Sequence, residues 1–256
     1  MDEKDYLYDL LVHDLVGPLA VVATTVSSLL GKPERYGDLN RLQRECLERI
    51  KRNTQKARGL VQDIMEVARA EESVFKCELF TMPELIREAL IEGLEFVNPA
   101  LGDELSRAQS DSDADKILER NGISLSISDS HARASFCHDR RKVLHIVRNL
   151  VSNALKYRKE KMDLSVSGEN DLVVSVSNDG PVISEGERQA LFKRFSRLER
   201  NQMKDTPGAG LGLFCVKALV EHMQGQISVS SGRGFNICFT VRIPAMELIN
   251  QKEDVS

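Results

Sequence analysis

Val12-His13-Asp14-Leu15-Val16-Gly17-Pro18-Leu19 is the stretch on which the reading of this chain turns. It sits inside a run where apolar residues recur at Tyr8, Val12, Leu15, Leu19, Val22, Val26 and Leu29, in alternating steps of four and three. That spacing lays one apolar stripe along a helix predicted over residues 4–30. His13 lies beside the stripe and not in it, so its imidazole is held on a rigid element yet within reach of solvent. Asp14 puts a carboxylate next to it. Pro18 removes one backbone hydrogen bond and predicts a kink just after His13. Gly31-Lys32-Pro33 ends the helix, and Asp38 is the expected N-cap of a second one over residues 39–72. The seam of the second helix is Leu47, Ile50, Thr54, Ala57, Val61, Ile64 and Ala68. Two long helices joined by a short loop form an antiparallel hairpin. A single hairpin cannot bury both stripes, so a homodimer closing a four-helix bundle is the expected assembly. The periodicity by itself is equally that of a generic dimerising coiled coil.

Composition narrows the rest. The 256 residues are 41% hydrophobic and carry a formal charge of −4, enough for one large or two modest domains. No dense Lys/Arg run marks a nucleic-acid or anionic-membrane footprint. No segment approaches the roughly 20 apolar residues of a membrane span, and no signal peptide is expected before the first helix. The five cysteines, Cys46, Cys77, Cys137, Cys215 and Cys238, are scattered without a CxxC pair and are expected to be reduced, in a cytoplasmic protein.

From Ser73 the pattern changes. Residues 74–80 form a strand candidate, and residues 82–96 return to helical spacing. Residues 98–109 show no period, and Ser110-Asp111-Ser112-Asp113-Ala114-Asp115 is expected to be a solvated surface insertion. Residues 123–127 and 132–137 read as strands, and 139–158 as a helix. Hairpins are expected around Gly168-Glu169-Asn170 and Gly232-Arg233-Gly234, with a helix from near Gly210 to Gly225 between them. Mixed strands and helices without regular βαβ repeats predict a two-layer α/β sandwich behind the helical hairpin. The expected division is residues 1–73 and residues 74–256.

Three stretches of the second region carry chemistry. In Arg148-Asn149-Leu150-Val151-Ser152-Asn153-Ala154-Leu155-Lys156-Tyr157, Asn149 and Asn153 share a helical face with Lys156 a turn further on. An amide oxygen is a hard neutral ligand suited to magnesium, and the lysine meets phosphate charge. The same pair also reads as two ordinary exposed polar residues. In Ser177-Asn178-Asp179-Gly180-Pro181-Val182, an amide or carboxylate at a strand end can receive an adenine amino group, and Gly180 permits a close turn. Gly208-Ala209-Gly210-Leu211-Gly212-Leu213 opens a helix, where backbone N–H groups can face phosphates. Its late position, outside any βαβ unit, argues against a dinucleotide fold.

In this order and spacing the stretches resemble the sensor histidine kinases of two-component signalling, along residues 6–244. The first stretch is similar to the family's H box, and Asn149…Asn153-Ala154…Lys156-Tyr157 to its N box. Asn178-Asp179-Gly180 sits where the first glycine box belongs. Phe192-Lys193-Arg194-Phe195-Ser196-Arg197 resembles the F box, and Gly208–Leu213 the second glycine box. The resemblance implies a dimerisation and phosphotransfer hairpin followed by an ATP-binding domain of the GHKL (Bergerat) type. It implies that His13 is phosphorylated from ATP with Asp14 as base, and that Asn153 holds Mg2+. Asn149, Lys156, Tyr157, Asn178, Asp179, Gly180, Gly208, Gly210, Leu211, Gly212 and Leu213 would contact the nucleotide. Residues 196–207 would form a lid anchored by Phe192 and Phe195. The phosphoryl group would pass to an aspartate of a response-regulator receiver domain, and a separate sensory partner could supply the input.

Three positions depart from the family pattern. Asn178 stands where aspartate is usual, Val182 replaces the second glycine of the first glycine box, and Gly17 stands where phosphatase-competent relatives carry threonine or asparagine. The first two leave open an alternative reading: a degenerate, non-catalytic dimeric scaffold with a weak or vestigial ATP site.

Overall fold

The computed structural model describes residues 3–70, 75–193, 212–232 and 234–246. The chain begins with α1 (Glu3–Gly31), the short α2 (Pro33–Tyr36) and α3 (Arg41–Ala70), so a compact connection turns one long helix back along the other. α1 runs through Pro18 as one helix. The N-cap of α3 differs from the expected Asp38. Asn40 Oδ1 accepts from the Gln43 N–H at 2.9 Å, and Gln43 Oε1 accepts from the Asn40 N–H at 2.9 Å. This reciprocal box satisfies two donors where Asp38 would satisfy one. Along the hairpin Val26 and Thr54 are buried, but the stripe residues Leu15, Val22 and Ile50 are exposed. Among the described residues, one chain leaves part of this apolar seam uncovered.

The rest of the chain runs β1 (Glu78–Thr81), α4 (Met82–Val97), α5 (Pro99–Ser106), α6 (Asp111–Arg120), β2 (Ile123–Ile127), α7 (Asp129–Arg133), β3 (Ser135–His138) and α8 (Arg140–Tyr157). It continues through β4 (Met162–Ser167), β5 (Leu172–Asn178), α9 (Glu185–Ala190), α10 (Gly212–His222), β6 (Gln226–Gly232) and β7 (Phe235–Ile243). A five-stranded sheet has the order β2-β4-β5-β7-β6, with β2 parallel to β4 and the other pairs antiparallel. β1 and β3 form a separate antiparallel pair.

Period-two alternation buries Met162, Leu164 and Val166 of β4, Leu172, Val174 and Val176 of β5, and Ile237, Phe239 and Val241 of β7. Helices α8 and α10 pack on the sheet, and α4 packs on α8. α8 buries Val143, Ile146, Val147, Leu150, Val151 and Ala154, the three-four spacing that marks it as the central helix. Each such aliphatic side chain taken from water contributes about 1.5–3 kcal/mol. The opposite face of the sheet is more polar, with Ser175 and Thr240 hydroxyls 3.0 Å apart. This is the α plus α/β architecture expected from the sequence.

Two further expectations are corrected. The acidic insertion is helical: Ser110 Oγ accepts from the Asp113 N–H at 3.2 Å and caps α6, whose Ala114 and Leu118 are buried. Asp111 and Asp113 in its first turn complement the helix dipole. Two cysteines are not reduced. Cys77 and Cys137 form a disulfide with a Cα–Cα distance of 5.8 Å across 60 residues of sequence. The antiparallel pairing of β1 with β3 brings them together, a long-range contact that local spacing cannot announce. Cys46, Cys215 and Cys238 are not in a disulfide.

Candidate active site

Asp139 starts α8 by accepting from the Lys142 N–H at 3.2 Å. Three turns along, Asn149 is half-buried, and its Nδ2 donates to the His145 carbonyl at 3.0 Å. That bond fixes the amide so that Oδ1 faces the first residue of α10. A Cβ on Gly212 would lie only 2.7 Å from this oxygen. Glycine at 212 is therefore what lets the N-terminus of α10 close on the asparagine face of α8. Asn153 and Lys156 continue that face, both half-buried. The Lys156 ammonium lies 4.7 Å from the centre of the Tyr157 ring.

The end of β5 closes a second side. Asn178 is 2% exposed, and its Oδ1 accepts from the Gly180 N–H at 2.9 Å. A backbone N–H only donates, so the oxygen must be the atom facing Gly180, and one of its two lone pairs is engaged. A Cβ at Gly180 would collide with the Tyr157 carbonyl oxygen and lie 2.6 Å from Asn178 Oδ1. The β5 turn thus packs directly on the end of α8. From β7, Asn236 Nδ2 donates to the carbonyls of Asp179 at 3.2 Å and Gly180 at 2.5 Å. No local pattern in the sequence marks Asn236 for this task.

Asp179 faces elsewhere. Its carboxylate accepts from the N–H groups of Lys159 at 2.9 Å and Glu160 at 3.1 Å, bracing the turn between α8 and β4. Burial pushes its pKa up, but backbone hydrogen bonds involving Lys161, Lys159 and Glu160 outweigh this and hold it below the ordinary carboxylate value. Val182 is 58% exposed, and its φ is not positive. The backbone there has a conformation valine adopts without strain.

Two buried histidines belong to this region, His138 at the end of β3 and His145 within α8. His138 Nδ1 accepts from the Asp139 N–H at 2.8 Å, and His145 Nδ1 faces the Arg148 guanidinium at 2.9 Å. Both partners only donate, so each ring is neutral with its proton on Nε2. Burial lowers the pKa of His138 to about 4, with Asp139 raising and Lys142 lowering it. Burial, then Arg148, lowers that of His145 to about 3.

Of the expected site residues, the structure pairs Gly212 with Asn149, and Gly180 with Asn178 and the carbonyl of Tyr157, with Asn153 and Lys156 on the Asn149 face of α8. Leu213 is half-buried against the core. Gly208, Gly210 and Leu211 lie outside the described residues, as do Phe195 and residues 196–207. Phe192 packs edge-on against Phe239 at 6.3 Å. His13 and Asp14 belong to α1, but their side chains lie outside the described residues. The amide oxygens of Asn149 and Asn178, the lysine and the helix N-terminus are donors and acceptors that fit a magnesium–nucleotide pair.

Among the described residues no helix is long and apolar enough to cross a membrane. Residues 7–73 match the family model of the His Kinase A (phospho-acceptor) domain. Residues 138–247 match the histidine kinase-, DNA gyrase B- and HSP90-like ATPase family. The chain is 28% identical to the adaptive-response sensory kinase SasA of Synechococcus sp. (strain JA-3-3Ab) over 250 residues, 95% of this chain and 60% of that protein. It is also 28% identical to the circadian input-output histidine kinase CikA of Thermosynechococcus vestitus (strain NIES-2133 / IAM M-273 / BP-1), over 91% of this chain and 30% of that protein. The full-length structure of ShkA in complex with AMPPNP shares the fold with a TM-score of 0.63 at 20% identity, over 94% of this chain and 46% of that one. The chain thus spans about 60% and 30% of the lengths of these two relatives. With a phospho-acceptor model and a kinase-type ATPase model matched in tandem, the chain carries the two domains of a sensor histidine kinase.

Proposed function

We propose that the chain is the core of a dimeric protein-histidine kinase that phosphorylates His13 from ATP and passes the phosphoryl group to an aspartate of a response-regulator receiver domain. The observation that carries this reading is the closure of Gly212 on the Asn149 amide, beside the Asn178–Gly180 turn. α10 and the end of β5, distant in sequence, thus both pack on α8, whose Asn149, Asn153 and Lys156 share one face. Together they would edge a nucleotide cleft with neutral oxygens, a lysine and a helix N-terminus. Residues 1–73 would be the dimerisation and phosphotransfer domain and residues 74–256 the ATP-binding domain. The exposed stripe of Leu15, Val22 and Ile50 is the surface a second copy would cover. A separate sensory partner is compatible with this reading, which places the reaction in the cytoplasm.

Within that cleft, Asn178 would meet the base through the second lone pair of Oδ1. The α10 N-terminus, with the glycines at 208, 210 and 212, would face the phosphates. Lys156 would add charge beside Tyr157. Asn153 would hold Mg2+ with Asn149 in support, and the bound metal would neutralise charge on the phosphate oxygens. One ring nitrogen of His13 would attack the γ-phosphorus while Asp14 takes the proton from the other. Positioning and charge neutralisation would supply most of the acceleration.

Substitution Asn153→Ala tests the site. A half-buried polar residue on a helix changes to a good helix former, so the fold is expected to persist. Calorimetric titration should show magnesium-dependent ATP binding lost. Unchanged affinity together with an unchanged phosphorylation rate would remove Asn153 from the metal site.

A further inference from the structure

The disulfide sits at the root of the ATP-binding half. Cys77 lies between α3, which ends at Ala70, and β1, which starts at Glu78, while Cys137 lies in β3 immediately before the start of α8. The neighbouring residues are stitched to the same place. The Lys76 N–H donates to Asp139 Oδ2 at 3.4 Å, and the other oxygen of Asp139 caps α8. Phe75 lies edge-on to His138 at 5.5 Å, 5.1 Å from His222 at the end of α10, and beneath the Lys142 ammonium at 4.3 Å. Residues 75–77 are thus fastened to the start of α8 and the end of α10, and α10 also packs against α3. From Glu78 on, β1 is held by its ladder with β3. Within residues 75–77 one long hydrogen bond and the Phe75 contacts are weak anchors, and the covalent bond is the strong one. The two sulfurs differ in access: Cys77 is half-buried, whereas Cys137 is 9% exposed.

We propose that Cys77 and Cys137 are a reversible thiol–disulfide pair that governs how freely the ATP-binding half moves against the helical hairpin. In the oxidised form residues 75–77 are locked to the start of α8. Reduction releases them, and the cleft can then travel to the histidine of α1. The partner in the exchange is a low-molecular-weight disulfide of the glutathione class. The Cys77 thiolate attacks it, forming a mixed disulfide and expelling one glutathione thiolate. The Cys137 thiolate then attacks the Cys77 sulfur and expels the second. Two cysteines are oxidised, one glutathione disulfide is reduced, and the two cysteine protons end on two glutathione thiols. The effect on phosphorylation rests on the kinase reading above, but the tether itself does not.

The test equilibrates the full chain in glutathione buffers of graded poise. Disulfide is counted by alkylation and mass spectrometry, amide hydrogen exchange is followed over residues 75–81, and labelling from ATP is timed. Wild type should show one two-electron transition. On reduction, exchange over residues 75–81 should rise by about tenfold or more, and labelling by at least about fivefold, the lower end of ordinary coupling between sites. Cys77→Ser should stay at the reduced values at every poise, while Cys46→Ser should behave as wild type. Absence of the Cys77–Cys137 bond at the most oxidising poise would overturn the proposal. So would a bond that forms with exchange unchanged, or with labelling unchanged in a chain that labels. A chain that never labels refutes the kinase reading instead, and hydrogen exchange then decides the tether alone.

Discussion

Acidification from pH 7.5 to 5 should destabilise the protein through His138 and His145, by an amount the structure sets. Each ring accepts a hydrogen bond at Nδ1 from a group that can only donate, and each is buried. Protonating Nδ1 would break that bond and place a charge out of water. The folded-state pKa values, about 4 for His138 and about 3 for His145, both lie below the unfolded value of 6.5. Between those limits the unfolded chain binds more protons, so stability is full above pH 6.5 and falls as pH drops toward the folded values. At pH 5 the loss is about 2 kcal/mol per histidine and about 4 kcal/mol for the two, as an upper limit. That is a large share of the roughly 5–15 kcal/mol that holds a typical domain folded. His131, also lowered by burial, adds in the same direction. Asp179, with a pKa below 3.8, loses its contribution only at lower pH. The chain has no tryptophan, so urea unfolding would be followed by far-ultraviolet circular dichroism across this range. Substitution His145→Gln keeps an acceptor for Arg148 and removes one titrating site. It should reduce the slope of stability against pH by about one proton between pH 6.5 and 5. A slope unchanged in the variant would refute the account of His145 as a buried neutral ring.

Two further outcomes follow from glycines. Substitution Gly212→Ala puts a Cβ 2.7 Å from Asn149 Oδ1, so the amide must turn and give up its bond to the His145 carbonyl. That bond is worth about 1 kcal/mol net, partly offset by the better helix propensity of alanine. The thermal midpoint should hardly move, while nucleotide affinity by calorimetry falls about tenfold, a change of about 1.4 kcal/mol. Undiminished affinity would show that this contact does not shape the cleft. Gly17 offers no hydroxyl or amide one turn after His13, and a Cβ there would meet open space. The chain, given ADP and magnesium, should barely accelerate loss of acyl phosphate from a phospho-regulator, and Gly17→Thr should gain some activity. Rapid loss with the unaltered chain would contradict this.

What the sequence disclosed, and what it hid, divides along the range of the interactions. α8 was legible because Val143, Ile146, Val147, Leu150 and Val151 repeat at helical spacing. The β4–β5 hairpin was legible because its turn carries Gly168, with φ of 115°. Asn149, Asn153 and the helix at Gly212 could be placed on elements from spacing alone. Local chemistry was misread where two signals compete. Ser110 with acidic neighbours looks like solvated chain, yet serine followed by carboxylates is also a capped helix start. Asp38 lost the N-cap to Asn40 because Gln43 completes a box with Asn40. The remaining features depend on partners far along the chain. Cys77 finds Cys137, Asp179 turns toward Lys159 and Glu160, and Asn236 reaches the Gly180 carbonyl. None of these pairings has a periodic signature.

The most direct test of the central claim is the chemical nature of the phosphoryl product. The purified chain would be incubated with γ-labelled ATP and magnesium, and the label followed through acid and alkali. The account predicts a label lost in acid, kept in alkali and absent from the His13→Gln protein, which should still dimerise and bind nucleotide. Acid-stable label, or label incorporated by His13→Gln at the parental rate, would contradict it.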